Sequence, residues 1–143
     1  MNESKEIKPY PPYASLVITG KELDPEEITD ILGINPHSRH KKHEKKKDGV
    51  REFSMGSWVY SSEKDIESFD VIDHVDWLVD QLIPIKNKLK LVQEMGNINI
   101  VISIFWIMSS TNEALSFSPE LLNRMSNIGI EFEFDIFSPW DEL

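Results

Sequence analysis

Apolar and polar residues alternate from Tyr13 to Thr19, with Ala14, Leu16 and Ile18 on one side and Ser15, Val17 and Thr19 on the other. That period of two predicts a half-buried strand. The next stretch, "LDPEEITDILGINP", changes period and carries helix signals: Asp24 as side-chain cap, Pro25 at the first helical position, Glu27 three after the cap, Gly33 as a left-handed exit and Pro36 barring continuation. A helix is predicted over 25–32. Ile72, Val75, Leu78, Val79, Leu82, Ile85, Leu89 and Val92 form one helical stripe, which Pro84 must kink or split. The clearest strand is "NINIVISIFWIM", with Ile98, Ile100, Ile102, Ile104 and Trp106 on one face and Asn99, Val101, Ser103, Phe105 and Ile107 on the other. "SFSPELLNRMSNIG" predicts a further helix capped by Ser118, opened by Pro119 and ended by Gly129, with Leu121, Leu122 and Met125 inward. In "IEFEFDIF", Ile130, Phe132, Phe134 and Ile136 are expected inside and Glu131, Glu133 and Asp135 outside.

Strict alternation predicts a sheet with one covered face and one open face. The fold expected is therefore α+β, a two-layer sandwich with a largely antiparallel or mixed sheet of four to five strands and helices on one face. The βαβ units at both ends point to a ferredoxin-like topology, with another strand order as the alternative. Residues 1–143 read as a single domain, with an N-terminal tail at 1–11 and a long basic connection at 35–56. Within that connection "VREFS" is expected to pair, across Met55 and Gly56, with the strand "SWVYSS".

Charge changes this picture. The formal net charge is -10, yet Arg39, Lys41, Lys42, Lys45, Lys46 and Lys47 crowd between His37 and Lys47 with Glu44 as the only acid. The rest of the chain then holds nine basic and 24 acidic residues, a balance of -15. Such a body repels phosphate backbones, so nucleic acid is not the expected partner, and the basic run also lacks interleaved aromatics for base stacking. The run reads as a mobile, solvated connection, or one docked on the acidic body. The chain has no cysteine. That excludes disulfides, thiolate metal sites and a cysteine nucleophile. "MNESKEIK" has no apolar core of a secretory signal, and the run Ile100–Met108 is too short to span a bilayer, so a soluble, cytoplasmic protein is expected, as a monomer or weak homodimer.

Candidate chemistry is sparse. His37, His40 and His43 have helix-side spacing for a divalent metal, but the surrounding positive charge opposes a cation, so no metal is expected. His74, with Asp70 four residues before it and Trp77 three after, is the minimal unit for a carboxylate-oriented base, and Trp58 completes a candidate pocket at the helix-sheet seam. A packed structural histidine is the simpler reading. No phosphate-cradling glycine pattern is present among the six glycines, and no cofactor is expected. Glu131, Glu133 and Asp135, with Phe105, outline an acidic open sheet face suited to an unknown protein partner; alternatively, those acids only keep an edge soluble.

"ASLVITGKELDPEEITDILGINP", "GSWVYSSE", "DHVDWLVDQL" and "SFSPELLNRMSNIGIEFEFDIF", in that order, resemble the blocks of a bacterial domain of unknown function, number 4279. The resemblance covers Ala14 to Phe137 and implies a small, usually single-domain protein, with no activity or catalytic residues to carry over. Before Trp58, similar proteins have a shorter Trp-, Lys- and Gly-bearing stretch, and "HKKHEKKKDG" departs from it. The expectation is thus a non-enzymatic interaction module working through the acidic open face, immunity- or inhibitor-like by analogy. Its alternative is a small-ligand-binding domain or enzyme using His74.

Overall fold

Both ends of the first predicted helix fall where its cap and exit residues put them. In the computed structural model, which describes residues 10–139, Asp24 accepts a hydrogen bond from the Glu26 N–H at 3.1 Å, and Gly33 closes the helix at φ 72°. The "MNESKEIK" stretch lies outside the described residues. The element order is β1 (Tyr13–Gly20), α1 (Pro25–Leu32), β2 (Ser38–His40), β3 (Gly56–Ser61), α2 (Val71–Leu82), α3 (Lys86–Gln93), β4 (Asn99–Ile107), α4 (Pro119–Ile128) and β5 (Phe132–Phe137). Pro84 splits the long apolar stripe: a short 3-10 turn, Ile83–Ile85, separates α2 from α3. Ser118, Pro119 and Gly129 start and stop α4 as α1 is started and stopped.

The sheet order is β2-β3-β1-β4-β5. β1 runs antiparallel to both β3 and β4, β2 antiparallel to β3, and β5 parallel to β4. The first four strands, with helical crossings after β1 and after β3, have the ferredoxin-like arrangement. The α4-β5 unit extends it by one parallel strand. The result is an α+β sandwich around a mixed five-stranded sheet.

One face of the sheet supplies Ala14, Leu16, Ile18, Trp58, Ile102 and Ile104, all fully buried against Ile28, Leu32, Val75, Leu78, Leu82 and Leu89 of the helices. Burying one such aliphatic side chain is worth about 1.5–3 kcal/mol. Trp58 places its only polar atom by donating from Nε1 to Thr29 Oγ1 at 3.0 Å, which ties β3 to α1. At the sheet end where β1, β3 and β4 meet their loops, a Cβ on Gly56 would sit 2.5 Å from the Leu23 carbonyl oxygen. Only glycine permits that backbone approach. Among the described residues no helix is long and apolar enough to cross a membrane.

Two expectations are corrected. Val50–Ser54 does not pair with β3 across Met55 and Gly56. It folds back on the basic run instead: His43 N–H donates to Phe53 O at 2.9 Å, Phe53 N–H to Glu44 O at 3.0 Å and Lys46 N–H to Arg51 O at 2.8 Å. The turn is made by Asp48, which accepts from the Val50 and Arg51 N–H groups at 2.9 Å each, and by Gly49 at φ 70°. The edge partner of β3 is β2. The second correction concerns β5, whose alternation is less buried than expected: Ile130 is buried, Phe132 and Phe134 are half-buried and Ile136 is 48% exposed. As the outermost strand, β5 has a neighbouring strand on one edge only, so its inward side chains lack flanking residues on the other.

Candidate functional site

The side chains that alternate away from the core form the second face of the sheet. The register aligns them in rows across the strands: Ser57, Thr19 and Asn99; Ser38, Val59, Val17 and Val101; Ser61, Ser15, Ser103 and Glu133; then Tyr13, Phe105 and Asp135. Small residues in the middle rows leave a groove of about 410 Å³, lined by Tyr13, Ser15, Val17, Val59, Ser61 and Ser103. Ser15 Oγ donates to Ser61 Oγ at 2.9 Å, and Ser61 Oγ accepts the Glu63 N–H at 3.2 Å.

A histidine and an aspartate stand next to these hydroxyls, but not as a catalytic relay. His37 Nδ1 accepts the Ser61 backbone N–H at 3.0 Å, so its proton is on Nε2, which faces Asp65 Oδ2 at 3.1 Å. Both ring nitrogens are occupied. Neither can take a proton from Ser61 Oγ or Ser15 Oγ, as a nucleophile of the Ser-His-Asp type requires.

The acidic residues lie beside an aromatic cluster. Phe105 stacks on Tyr13 (centroids 4.9 Å apart, planes at 18°), meets Tyr10 edge-on at 5.8 Å and leans on Phe137 at 5.4 Å. Asp135 is the register partner of Phe105, and Glu133 that of Ser103. Glu131, Glu133 and Asp135 are all exposed, and none has an ion-pair partner among the described residues. Burial, then the Glu63 carboxylate, Tyr10 and Asp135, hold the Tyr13 phenol above its ordinary range. The expected partner-binding residues Glu131, Glu133, Asp135 and Phe105 therefore share one surface.

The basic residues behave differently. Arg39 pairs with Glu26 at 3.4 Å, Lys41 with Asp24 at 3.6 Å and Lys42 with Glu22 at 3.3 Å, so the run docks on the β1-α1 connection. Lys46 lies over the Phe53 ring, while Lys45 and Lys47 make no ion pair among the described residues. Residues 35–56 are thus an excursion that is largely exposed along its length and pinned to the body by three ion pairs at Arg39, Lys41 and Lys42. The three histidines diverge: His37 turns to Asp65, His43 Nδ1 lies 3.3 Å from Glu52, and His40 stacks on Phe53 with its buried Nδ1 unpartnered. No group of three ligand-type side chains that could hold a metal occurs among the described residues.

The four residues expected at the seam, His74, Asp70, Trp58 and Trp77, take separate places. His74 is fully buried, and its imidazole bridges two neighbours, with Nε2 2.8 Å from Ser68 O and Nδ1 2.6 Å from Ser62 Oγ. A carbonyl only accepts, so Nε2 carries the proton, and Ser62 donates to Nδ1 while accepting the Ala14 N–H at 2.9 Å. Asp70 does not touch the ring; it caps α2 through the Ile72 N–H at 3.0 Å. Trp58 is in the core, and Trp77 stacks on Tyr60 at 5.6 Å. A cavity of about 630 Å³ includes Asp70 but none of His74, Trp58 and Trp77. His74 links α2 to β1 and to the segment after β3 from a fully buried position.

The serine floor and Glu63 are the part of this surface that sequence reading missed. Its signal was present: Ser15 and Ser103 occupy the polar phase of their strands, and the adjacent Ser61 and Ser62 point to opposite faces, one to the groove and one to His74.

No curated protein and no solved structure matches the chain. A family model described as a domain of unknown function, DUF4279, matches residues 7–138, and the chain belongs to that family.

Proposed function

We propose that the protein is a non-enzymatic interaction module that binds a positively charged protein through its open sheet face. The observation that supports this most is the pairing of exposed, uncompensated carboxylates at Glu131, Glu133 and Asp135 with the Tyr10-Tyr13-Phe105-Phe137 cluster. Apolar anchors with a charged rim are the usual anatomy of a protein interface, and unpaired acids steer a basic partner toward it. The partner envisaged is a cationic protein of the bacterial cytoplasm, and neutralisation of a toxin or nuclease is its concrete version by analogy. A second reading takes the 410 Å³ groove as a pocket for a small hydroxylated ligand, favoured by the hydroxyls of Ser15, Ser61 and Ser103 on its floor.

Affinity capture from nuclease-treated host lysate separates the readings. The native chain is compared with the Glu131→Lys, Glu133→Lys, Asp135→Lys variant, and any captured protein is purified and titrated against both. The expected outcome is a basic protein whose binding weakens with salt and is lost in the variant at unchanged melting temperature. Equal binding to both chains overturns the proposal. A Ser15→Val chain that loses thermal stabilisation by a sugar or nucleoside library favours the groove.

A further inference from the structure

Each sheet edge must be closed, shortened or left available. The β2 edge is three residues long, preceded by Pro36. The β5 edge is different: six residues with no proline or glycine, and no strand beyond it among the described residues. The parallel ladder sends the Glu131 carbonyl to Ile102 N–H at 2.8 Å and the Phe137 carbonyl to Met108 N–H at 3.0 Å. Backbone groups alternate in direction along a strand, so those of Phe132, Phe134 and Ile136 point away from β4. A row of donors and acceptors thus faces outward. Above it on the open face stand Glu131, Glu133 and Asp135; below it stands the exposed Ile136.

From this edge we infer that β5 accepts an added strand from the partner, an extended segment with Lys or Arg at alternate positions and apolar residues between them. The inference rests on the open-face reading and supplies its mode of contact. Outward backbone groups provide the hydrogen bonds, alternate basic side chains meet the carboxylates, and apolar ones meet Ile136 and Phe134. A second copy of this chain is the wrong occupant: antiparallel β5-β5 pairing sets carboxylates of one copy opposite those of the other, which is destabilising.

The test uses the full chain, isotopically labelled, with a synthetic peptide of about six alternating Lys and Val residues, the usual length of a strand. Binding is expected to slow amide exchange at Phe132, Phe134 and Ile136. Three changes are each expected to weaken it about tenfold or more: N-methylation of alternate peptide nitrogens, rearrangement of the same residues into a Lys block and a Val block, and Glu133→Lys with Asp135→Lys. Shifts confined to Ser15, Ser61 and Ser103, unaffected by N-methylation, overturn strand addition while leaving docking on the open face in place. No binding by any peptide also overturns it, and lysate capture then judges the face reading alone. Protection of the three amides without peptide overturns it as well, in favour of a second copy if sedimentation shows a dimer, or of residues 1–9 if their deletion removes the protection.

Discussion

The basic excursion and the acidic edge carry opposite charge and lie in different parts of the fold. Three positive side chains, Arg39, Lys41 and Lys42, meet Glu26, Asp24 and Glu22, and the hairpin that follows adds Arg51 on Asp48 and His43 against Glu52. In and just before β5 the three carboxylates form no ion pair among the described residues, and across the ladder Glu133 is the register partner of Ser103 and Asp135 that of Phe105. A dense charge run is therefore a poor guide to a binding surface. The density at residues 37–47 reflects the acid already waiting on the β1-α1 connection, whereas three acids spread over five positions remain available.

Five measurements sharpen or break this contrast. His74→Ala sets the scale, because it strands Ser62 Oγ and the Ser68 carbonyl in a buried site. A loss of about 3 kcal/mol is expected in denaturant unfolding, and an unchanged midpoint would show that the network contributes nothing. Next, Glu22→Lys, Asp24→Lys and Glu26→Lys together remove the three docking pairs and the α1 cap, with an expected loss of about 2 kcal/mol. Equal stability would mean the excursion is not fastened by charge.

A smaller effect is expected at alkaline pH. The Tyr13 phenol titrates above its ordinary value in the folded chain and near pH 10 when unfolded, so in that window the folded state binds more protons and stability falls as pH rises. Below about pH 10 the contribution is fully present. Tyr13→Phe should flatten this alkaline arm, and Glu63→Gln should lower the phenol's midpoint in ultraviolet titration. Smallest of all, Glu131→Lys, Glu133→Lys, Asp135→Lys should leave stability within about 0.5 kcal/mol. A large destabilisation would show that the acids serve the fold and not a partner.

Helix ends and strand phases were legible because their signals are local. Asp24, Pro25 and Gly33, or Ser118, Pro119 and Gly129, act within a few residues. The acidic face was legible for the same reason, since a period of two puts Glu131, Glu133 and Asp135 on one side wherever the strand lies. The fate of the basic run was not legible, because its partners Glu22, Asp24 and Glu26 approach only after the chain has turned through α1 and β2. The partners of His74, unlike its place in the core, were hidden for a related reason. Asp70 is its neighbour in helical spacing, but a residue just before a helix satisfies the backbone first, and the imidazole found its partners in Ser62 and Ser68.

Among the described residues, β1 is the first strand in chain order and the middle strand of the sheet. Both of its flanks stay open during synthesis until β3 and then β4 leave the ribosome, and its Ser15-Ser61 contact already spans 46 residues. The loop-closure entropy of those distant pairings falls due before most native contacts form, which puts folding in the slower range of mixed α/β domains. Until Asn99 and the strand it opens emerge, β1 has one flank unpaired beside Leu16 and Ile18, so chains truncated before Asn99 are expected to aggregate more readily than the full chain.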